Sequence, residues 1–295
     1  MEPKLKVALV SILANVGLVS VEFVIAWVTG SLAVLADAFH SGVDLTGSLL
    51  VLSGIWMALR VADQTHAYGY RRYENAAALI QFVLIAIIGV VVLYEAVRRS
   101  IFGFSVTVSP LVLGVVVATI VLDLLIFRYI SRKGRLLESS ALKADAYQFG
   151  TDSIAKVGVL VGIGGVFVGV PLLDVLGAGA IAIAFLTVAF LMGRKNLQVL
   201  VDASPPRELL QTLADTALDI EGVTEVHSLR GRVSGTQIFV DLVVHVSPDI
   251  SLEAAHAIAH AVERAMQERL PSVKEVVVHT EPVHHEPRLD ESHPP

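Results

Sequence analysis

Several ionisable side chains fall inside long apolar segments of this 295-residue sequence, where a charge is costly to place. On insertion scales, a charged residue near the middle of a bilayer costs roughly 2.5–3.5 kcal/mol, so such residues are functional candidates by default. We therefore expect the chemistry of this protein among the following residues: Glu22, Asp37, His40, Asp44, Asp123, Asp152 and Lys156.

Two pairs of these polar residues share one spacing. His40 and Asp44 are four residues apart, and so are Gln148 and Asp152. Residues at i and i+4 lie on one helix face, a turn apart. If the two pairs face each other, they provide four nitrogen and oxygen ligands with two negative charges, which suits a divalent metal. The alternative is polar contact between helices only, but the cost of burying the charges favours the metal site.

The composition indicates a membrane protein. Hydrophobic residues make up 54% of the chain and charged residues only 17%, whereas soluble domains carry about 25% charged residues. The mean hydropathy is +0.69, which excludes a typical soluble enzyme and a disordered chain. The sequence has no cysteine, so any metal must be bound by His, Asp, Glu or neutral oxygen atoms.

Six apolar segments each approach the length that crosses a bilayer. They are residues 7–29, 32–59, 77–99, 109–130, 144–169 and 172–194. Very short connections at 29–31 and 169–171 predict tight hairpins. The Lys and Arg bias of the connecting segments places the N-terminus inside, and an even number of spans places the C-terminus there too. We therefore expect a multi-pass protein of the cell (inner) membrane with both termini in the cytoplasm.

The remainder of the chain predicts a separate acidic domain. Sixteen of the 28 acidic residues and eight of the ten histidines lie in residues 200–295. Helices are predicted at 206–219 and 251–270, and strands at 223–233, 236–247 and 273–281, in the order αββαβ of an α+β fold. The predicted domains are 1–200 (six transmembrane helices), 201–283 (cytoplasmic, metal binding and dimerisation) and 284–295 (a disordered tail).

The motifs resemble the cation diffusion facilitators, a family of dimeric, proton-coupled exporters of divalent metals. The matching stretches are GSLAVLADAFHSGVD, ADQTHAYGYRRYE, LYEAVRR, ALKADAYQFGTDSIAKVGVLVG, VHSLRGRVSG and VVVHTEP. The resemblance covers about residues 5–283. It implies a homodimer in the lipid bilayer, protons as the counter-ion, and a metallochaperone-like cytoplasmic domain.

By position, the resemblance places the transport site at His40, Asp44, Gln148 and Asp152. Gln148 departs from the pattern, because zinc transporters of the family usually have His or Asp there. Its neutral oxygen does not titrate and is harder than imidazole. Zn²⁺ is the expected metal, with Mn²⁺, Fe²⁺ and Co²⁺ as alternatives that tolerate oxygen ligands.

Lys156 is a second departure, one turn beyond Asp152. We expect it to pair with Asp152, Asp37 or Asp123, either as a structural ion pair or as an internal cation when no metal is bound. Asp37 and Lys156 are therefore predicted modulators of the site.

Two further sets of residues match metal positions of the family. The loop after the second helix contains Asp63 and His66, but Tyr70 stands where a third ligand would be wanted, so a structural loop is the first interpretation. The C-terminal domain offers the following candidates, for which a solvated surface is the alternative: His227, His245, His256, His279 and Glu281. His245 is included because it lies two residues beyond Val243, a familiar His position, on the same strand face.

Other function classes fit less well. A metallohydrolase would need a motif such as HExxH, which the sequence lacks, so we do not expect an enzyme. An exporter of an organic solute would need a larger, aromatic pocket. A non-transporting metal sensor or scaffold of the same fold stays open, because Lys156 could neutralise the site.

Overall fold

The computed structural model describes residues 2–29, 32–102, 110–167 and 172–283. It forms two compact units, Met1–Leu200 and Val201–Pro295. Residues 30 and 31, residues 168–171 and the predicted tail 284–295 lie outside the described residues, so the two predicted hairpins and the disordered tail are not described.

The first unit is built of six long helices, as predicted. They are α1 (Pro3–Thr29), α2 (Leu32–Ala58), α3 (Arg72–Phe102), α4 (Pro110–Leu136), α5 (Ser140–Phe167) and α6 (Leu172–Leu200). Most extend beyond the predicted apolar segments, because hydropathy marks only the part of a helix that suits lipid. The start of α5 moves back to Ser140, where the Ser139 hydroxyl caps the helix by accepting a hydrogen bond from the Leu142 N–H at 3.1 Å.

Four stretches of the described chain are long and apolar enough to cross a membrane: Pro3–Val24, Arg72–Phe102, Leu113–Leu136 and Val175–Leu200. Helix α5 carries the charged residues Lys143, Asp145, Asp152 and Lys156. These charged side chains need neighbouring helices to shield them from lipid.

Helix α5 takes part in both apolar cores of the helical unit. One core joins α1, α2, α4 and α5 around Ile55, Ile130 and Phe149. The other joins α3, α5 and α6 around Phe82 and Phe185. Since one helix lines both cores, its polar side chains are held away from lipid on more than one side.

The second unit is the predicted small α+β domain. It contains α7 (Arg207–Leu218), β1 (Glu225–Ser234), β2 (Gln237–Val246), α8 (Leu252–Arg269) and β3 (Val273–Pro282). The sheet order is β1-β2-β3, with β1 antiparallel and β3 parallel to β2. Alternate residues of β2 (Ile238, Val240, Leu242, Val244 and Val246) join the core with α7 and α8. The residues between them, including His245, therefore lie on the opposite sheet face.

Candidate metal centre

Helix α2 carries one half of the predicted transport site on a buried stripe. Asp44 is 7% exposed, and Ser41 and Ser48 beside it are also buried. The spacing of these residues is helical, so the three side chains lie along one face. His40 belongs to α2 in its backbone, which keeps the predicted i, i+4 relation to Asp44. The side chains of His40 and Asp37 lie outside the described residues.

Helix α5 carries the other half. Gln148 is 3% exposed, and Asp152, one turn further on, is half-buried. The Thr151 hydroxyl is bonded to the Gln148 carbonyl at 2.7 Å, so it is satisfied within the helix. Asp44 and Asp152 both have polar or electrostatic partners in the structure.

Gly47 marks the place where the two halves approach each other. A Cβ atom added to Gly47 would lie 2.9 Å from Oε1 of Gln148 and 2.6 Å from Oε1 of Gln81. Both amides therefore occupy the space that a side chain would fill on α2. Since Gly47 follows Asp44 by three residues, the Gln148 amide reaches α2 one turn from the Asp44 carboxylate.

Gln81 of α3 is a part of this centre that was absent from the sequence prediction. It is 1% exposed, and its Nε2 donates a hydrogen bond to Oε1 of Gln148. Its own Oε1 is buried and has no hydrogen-bond partner among the described residues. The available signal was a lone amide within the apolar run of α3, and it was overlooked because only ionisable residues were considered there.

Lys156 forms a buried ionic triad with two other helices. Its Nζ lies 2.9 Å from Oδ2 of Asp123 on α4 and 4.0 Å from Oε1 of Glu22 on α1. The structure thus provides one of the predicted partners, Asp123, and adds Glu22. Two carboxylates around one ammonium leave the triad with no excess positive charge.

The loop after α2 is organised around Asp63. Its Oδ1 accepts hydrogen bonds from the N–H and hydroxyl of Thr65 and from the N–H of His66, and its Oδ2 accepts one from Tyr70 at 2.7 Å. These bonds, those from Thr65 and Tyr70 foremost, hold the pKa of Asp63 well below its usual range. The carboxylate therefore already has a full set of donors within the loop.

The C-terminal sheet brings several predicted ligands together on its open face. The strand register places Glu225 beside His245, and His245 beside Glu281. Nδ1 of His245 lies 3.3 Å from Glu225, and its Nε2 lies 3.8 Å from Glu281. Nε2 of His279 lies 3.2 Å from the other oxygen of Glu281. Glu225 is a member of this row that the sequence did not single out.

The two remaining predicted residues differ in their positions. His227 lies within β1, at an irregularity in the strand pairing between Val226 and Ser228, and its ring stacks on that of His245 at 5.1 Å. His256 lies on α8, where its ring contacts His260 at 4.4 Å. Within the described part of the chain, no three His, Asp or Glu side chains converge closely enough to hold a metal as they stand.

Two family models match the chain in sequence. The cation efflux transmembrane domain matches residues 8–201, and the cytoplasmic domain of cation efflux proteins matches residues 205–283. Together the matches cover both units of the structure.

Relatives match over nearly the whole length. An uncharacterised transporter of Methanocaldococcus jannaschii is 30% identical over 280 residues, which are 94% of this chain and 97% of the relative. The cation-efflux pump FieF of Cronobacter sakazakii is 30% identical over 295 residues, covering 97% and 95%. The manganese efflux system protein MneS of Bacillus subtilis is 28% identical over 277 residues, covering 94% of each. The solved structure MamM-CTD 215-293 is 28% identical and covers 25% of this chain and 95% of its own, with a TM-score of 0.25.

The contact at Gly47 generates a prediction. In Gly47→Ala, the new methyl group displaces the amides of Gln81 and Gln148, which are the ends of flexible side chains, so the fold persists while the site changes. We expect the melting temperature to be retained, because alanine favours a helix. Metal affinity at the site, measured by isothermal titration, should fall roughly ten- to a hundredfold, the cost of a displacement of about 1 Å.

Gly17→Ala is the matched control, since a Cβ there meets nothing within 4 Å. Unchanged metal affinity in Gly47→Ala, equal to that of the control, would show that the two amides are not part of the site.

Proposed function

Because this chain belongs to the cation efflux family, the cation diffusion facilitators that its motifs resemble, we propose that it exports divalent transition-metal ions in exchange for protons. The observation that carries this proposal is the approach of two buried amides, Gln81 of α3 and Gln148 of α5, to Gly47 of α2, inside a helical unit of membrane-spanning length. Polar groups buried in a membrane-spanning unit are costly, and the binding of a transported cation would explain why they are present.

The proposed transport site consists of His40, Asp44, Gln148 and Asp152. One imidazole, one amide oxygen and two carboxylates form a mixed set that divalent first-row metals accept. The bond from Gln81 supports this assignment, because it fixes an amide whose oxygen has a second lone pair for a metal. Zn²⁺ is the first candidate cargo, and the oxygen-rich set keeps Mn²⁺, Fe²⁺ and Co²⁺ as alternatives.

Proton exchange follows from the same ligands. Three of the four, His40, Asp44 and Asp152, can exchange a proton for a metal ion, whereas Gln148 cannot. In the proposed cycle, metal binds from the cytoplasm, the helical unit opens to the other side, and protons that enter the site release the metal. The proposed setting is the cell inner membrane, with both termini in the cytoplasm.

The C-terminal domain is proposed to bind metal as a regulator and to join two copies of the chain. Two ligands at about 2.1 Å from a tetrahedral metal lie about 3.4 Å apart. The separations of Glu281 from His279 (3.2 Å) and from His245 (3.8 Å) are close to this value. A modest movement of these side chains would therefore bring three ligands around one ion, with Glu225 and His227 beside it. His256 stays a candidate on α8, and Asp63 with His66 is proposed to form a structural loop.

The rival function is a non-transporting metal sensor or scaffold, in which Lys156 permanently neutralises the transport site. The triad argues against it, because Asp123 and Glu22 already balance the charge of Lys156. Removal of Lys156 would leave two buried carboxylates facing each other, which should harm the protein rather than activate it.

Metal flux into proteoliposomes tests the proposed function. Wild-type protein should transport at least one of Zn²⁺, Mn²⁺, Fe²⁺ and Co²⁺, and competition among them identifies the cargo. Asp152→Ala should reduce flux to background because it removes a charged ligand. The matched control is Ser153→Ala, because the Ser153 hydroxyl donates a hydrogen bond to the Phe149 carbonyl of its own helix. The sensor function would be established instead if the wild-type protein transported none of these metals and Lys156→Ala gained transport.

A second test addresses the C-terminal domain. In full-length protein carrying Asp152→Ala, the additional change His245→Ala should weaken the remaining metal binding at least about tenfold, the smaller of the losses known for groups around a metal. Equilibrium dialysis with metal analysis measures this. His260→Ala is the control, because His260 pairs with Glu263 on its own helix. Equal affinity in both variants would exclude His245 as a ligand.

A further inference from the structure

Asp145 of α5 is a fully buried carboxyl group outside the proposed set of metal ligands. It is 0% exposed. The Ser48 hydroxyl donates a hydrogen bond to its Oδ1 at 2.7 Å. Its Oδ2 is buried and has no hydrogen-bond partner among the described residues.

The pocket around Asp145 is polar but neutral. Ser48 accepts a hydrogen bond from Nδ2 of Asn15 at 2.8 Å, and the Ser11 hydroxyl lies 3.2 Å from that of Ser48. Residues one turn away on the same helices belong to the apolar core that α1, α2, α4 and α5 share: Ala8 from Ser11, Val51 from Ser48, and Leu142 and Phe149 from Asp145. Hydroxyl and amide groups of the described residues thus surround this carboxyl group, and none of them carries a charge.

Several charged groups of the surrounding helices have other partners or are separated from the Asp145 pocket along their own helix. On α1, Lys4 pairs with Glu74 at 2.9 Å, and Glu22 belongs to the triad with Lys156. On α2, Asp44 lies one turn from Ser48. On α4, Asp123 pairs with Lys156, and on α5 the spacing of two residues turns Lys143 away from Asp145. Among the described residues, Asp145 forms no ion pair.

We propose that Asp145 is a proton-binding site, separate from the metal ligands, that holds a neutral carboxylic acid while its pocket is closed. An ionised carboxylate with one unpaired oxygen in a buried, uncharged pocket is far more costly than the neutral acid. One carboxyl with hydroxyls and an amide is also a poor set for a transition metal. A proton is therefore the ligand that fits.

The position of Asp145 links it to the transport site. Asp145 precedes Gln148 by three residues on α5, and Ser48 follows Asp44 by four on α2, so the acid lies one helical turn from the proposed metal on both helices. A divalent cation at that distance favours the ionised form of the acid. Metal binding would therefore release the proton of Asp145. Asp145 would thus provide the titrating group that Gln148, a neutral amide, does not provide. This coupling, unlike the proton site itself, rests on the proposed function.

Infrared spectroscopy of the metal-free, full-length protein at pH 7 tests the proton site without any transport. An ordinary Asp is ionised at this pH, so a carboxylic-acid C=O band that is lost in Asp145→Asn identifies the protonated group. Asparagine resembles the neutral acid in shape, so the variant should fold. Ser48→Ala should keep the band but shift it, because the bond to Oδ1 is gone. Glu74→Gln is the control, since Lys4 balances Glu74, and it should leave the band unchanged.

Proton release on metal binding, followed with a pH indicator in weak buffer, tests the coupling. Release should fall by about one proton per metal in Asp145→Asn, with no such loss in Glu74→Gln. A band that survives in Asp145→Asn, or that Ser48→Ala does not move, would overturn the proton site. Unchanged proton release in Asp145→Asn would overturn the coupling. If wild-type protein binds no metal at the transport site, the proposed function fails, and the infrared result still decides the proton site.

Discussion

A buried polar group in the helical unit can find a partner only within the protein, because the interior of a bilayer supplies none. This constraint explains why the polar side chains of α1, α2, α4 and α5 face one another rather than lipid. Three polar layers result: Asp145 with Ser48 and its neighbours, then Gln148 with Gln81 beside Gly47, and then Lys156 with Asp123 and Glu22. Along α5, each layer follows the previous one after one or two turns.

The three layers differ in how their charge is balanced, and this difference suggests a division of roles. The triad at Lys156 contains its own cation, and removal of that cation would leave two buried carboxylates uncompensated. The layer at Asp145 has no cation and is neutral only if it carries a proton. The middle layer has two predicted carboxylates on neighbouring turns, Asp44 and Asp152, and is the layer whose charge a divalent metal would balance. In the proposed mechanism, metal and proton therefore bind at neighbouring positions of one unit.

The sequence was most informative where the information is local. Six helices, the αββαβ order and the i, i+4 pairs depend on hydropathy and spacing within one segment, and the structure has all these elements. Residues that act through distant helices were missed. Gln81, 67 residues from Gln148, had no local signal besides being an amide in an apolar run. Asp145 lay inside a predicted span, but its isolation from other charges becomes visible only when four helices are assembled.

The C-terminal sheet shows the same limit. Strand alternation placed His279 and Glu281 on one face from sequence alone. The row of Glu225, His245 and Glu281 depends on the register of three strands, which the sequence does not determine by itself. The prediction that His245 takes the place of a histidine at Val243 rested only on their common strand face. The register adds that His245 lies between Glu225 and Glu281, so its role as a ligand can be tested.

The central claim is that metal and protons are exchanged at the layer where α2 and α5 meet. The most direct measurement records metal entry and internal pH at the same time in proteoliposomes that contain the wild-type protein or Asp152→Asn. The account predicts that metal entry is accompanied by loss of internal protons, and that both signals disappear together in the variant. Metal entry with a constant internal pH, in vesicles shown to hold a pH gradient, would contradict it.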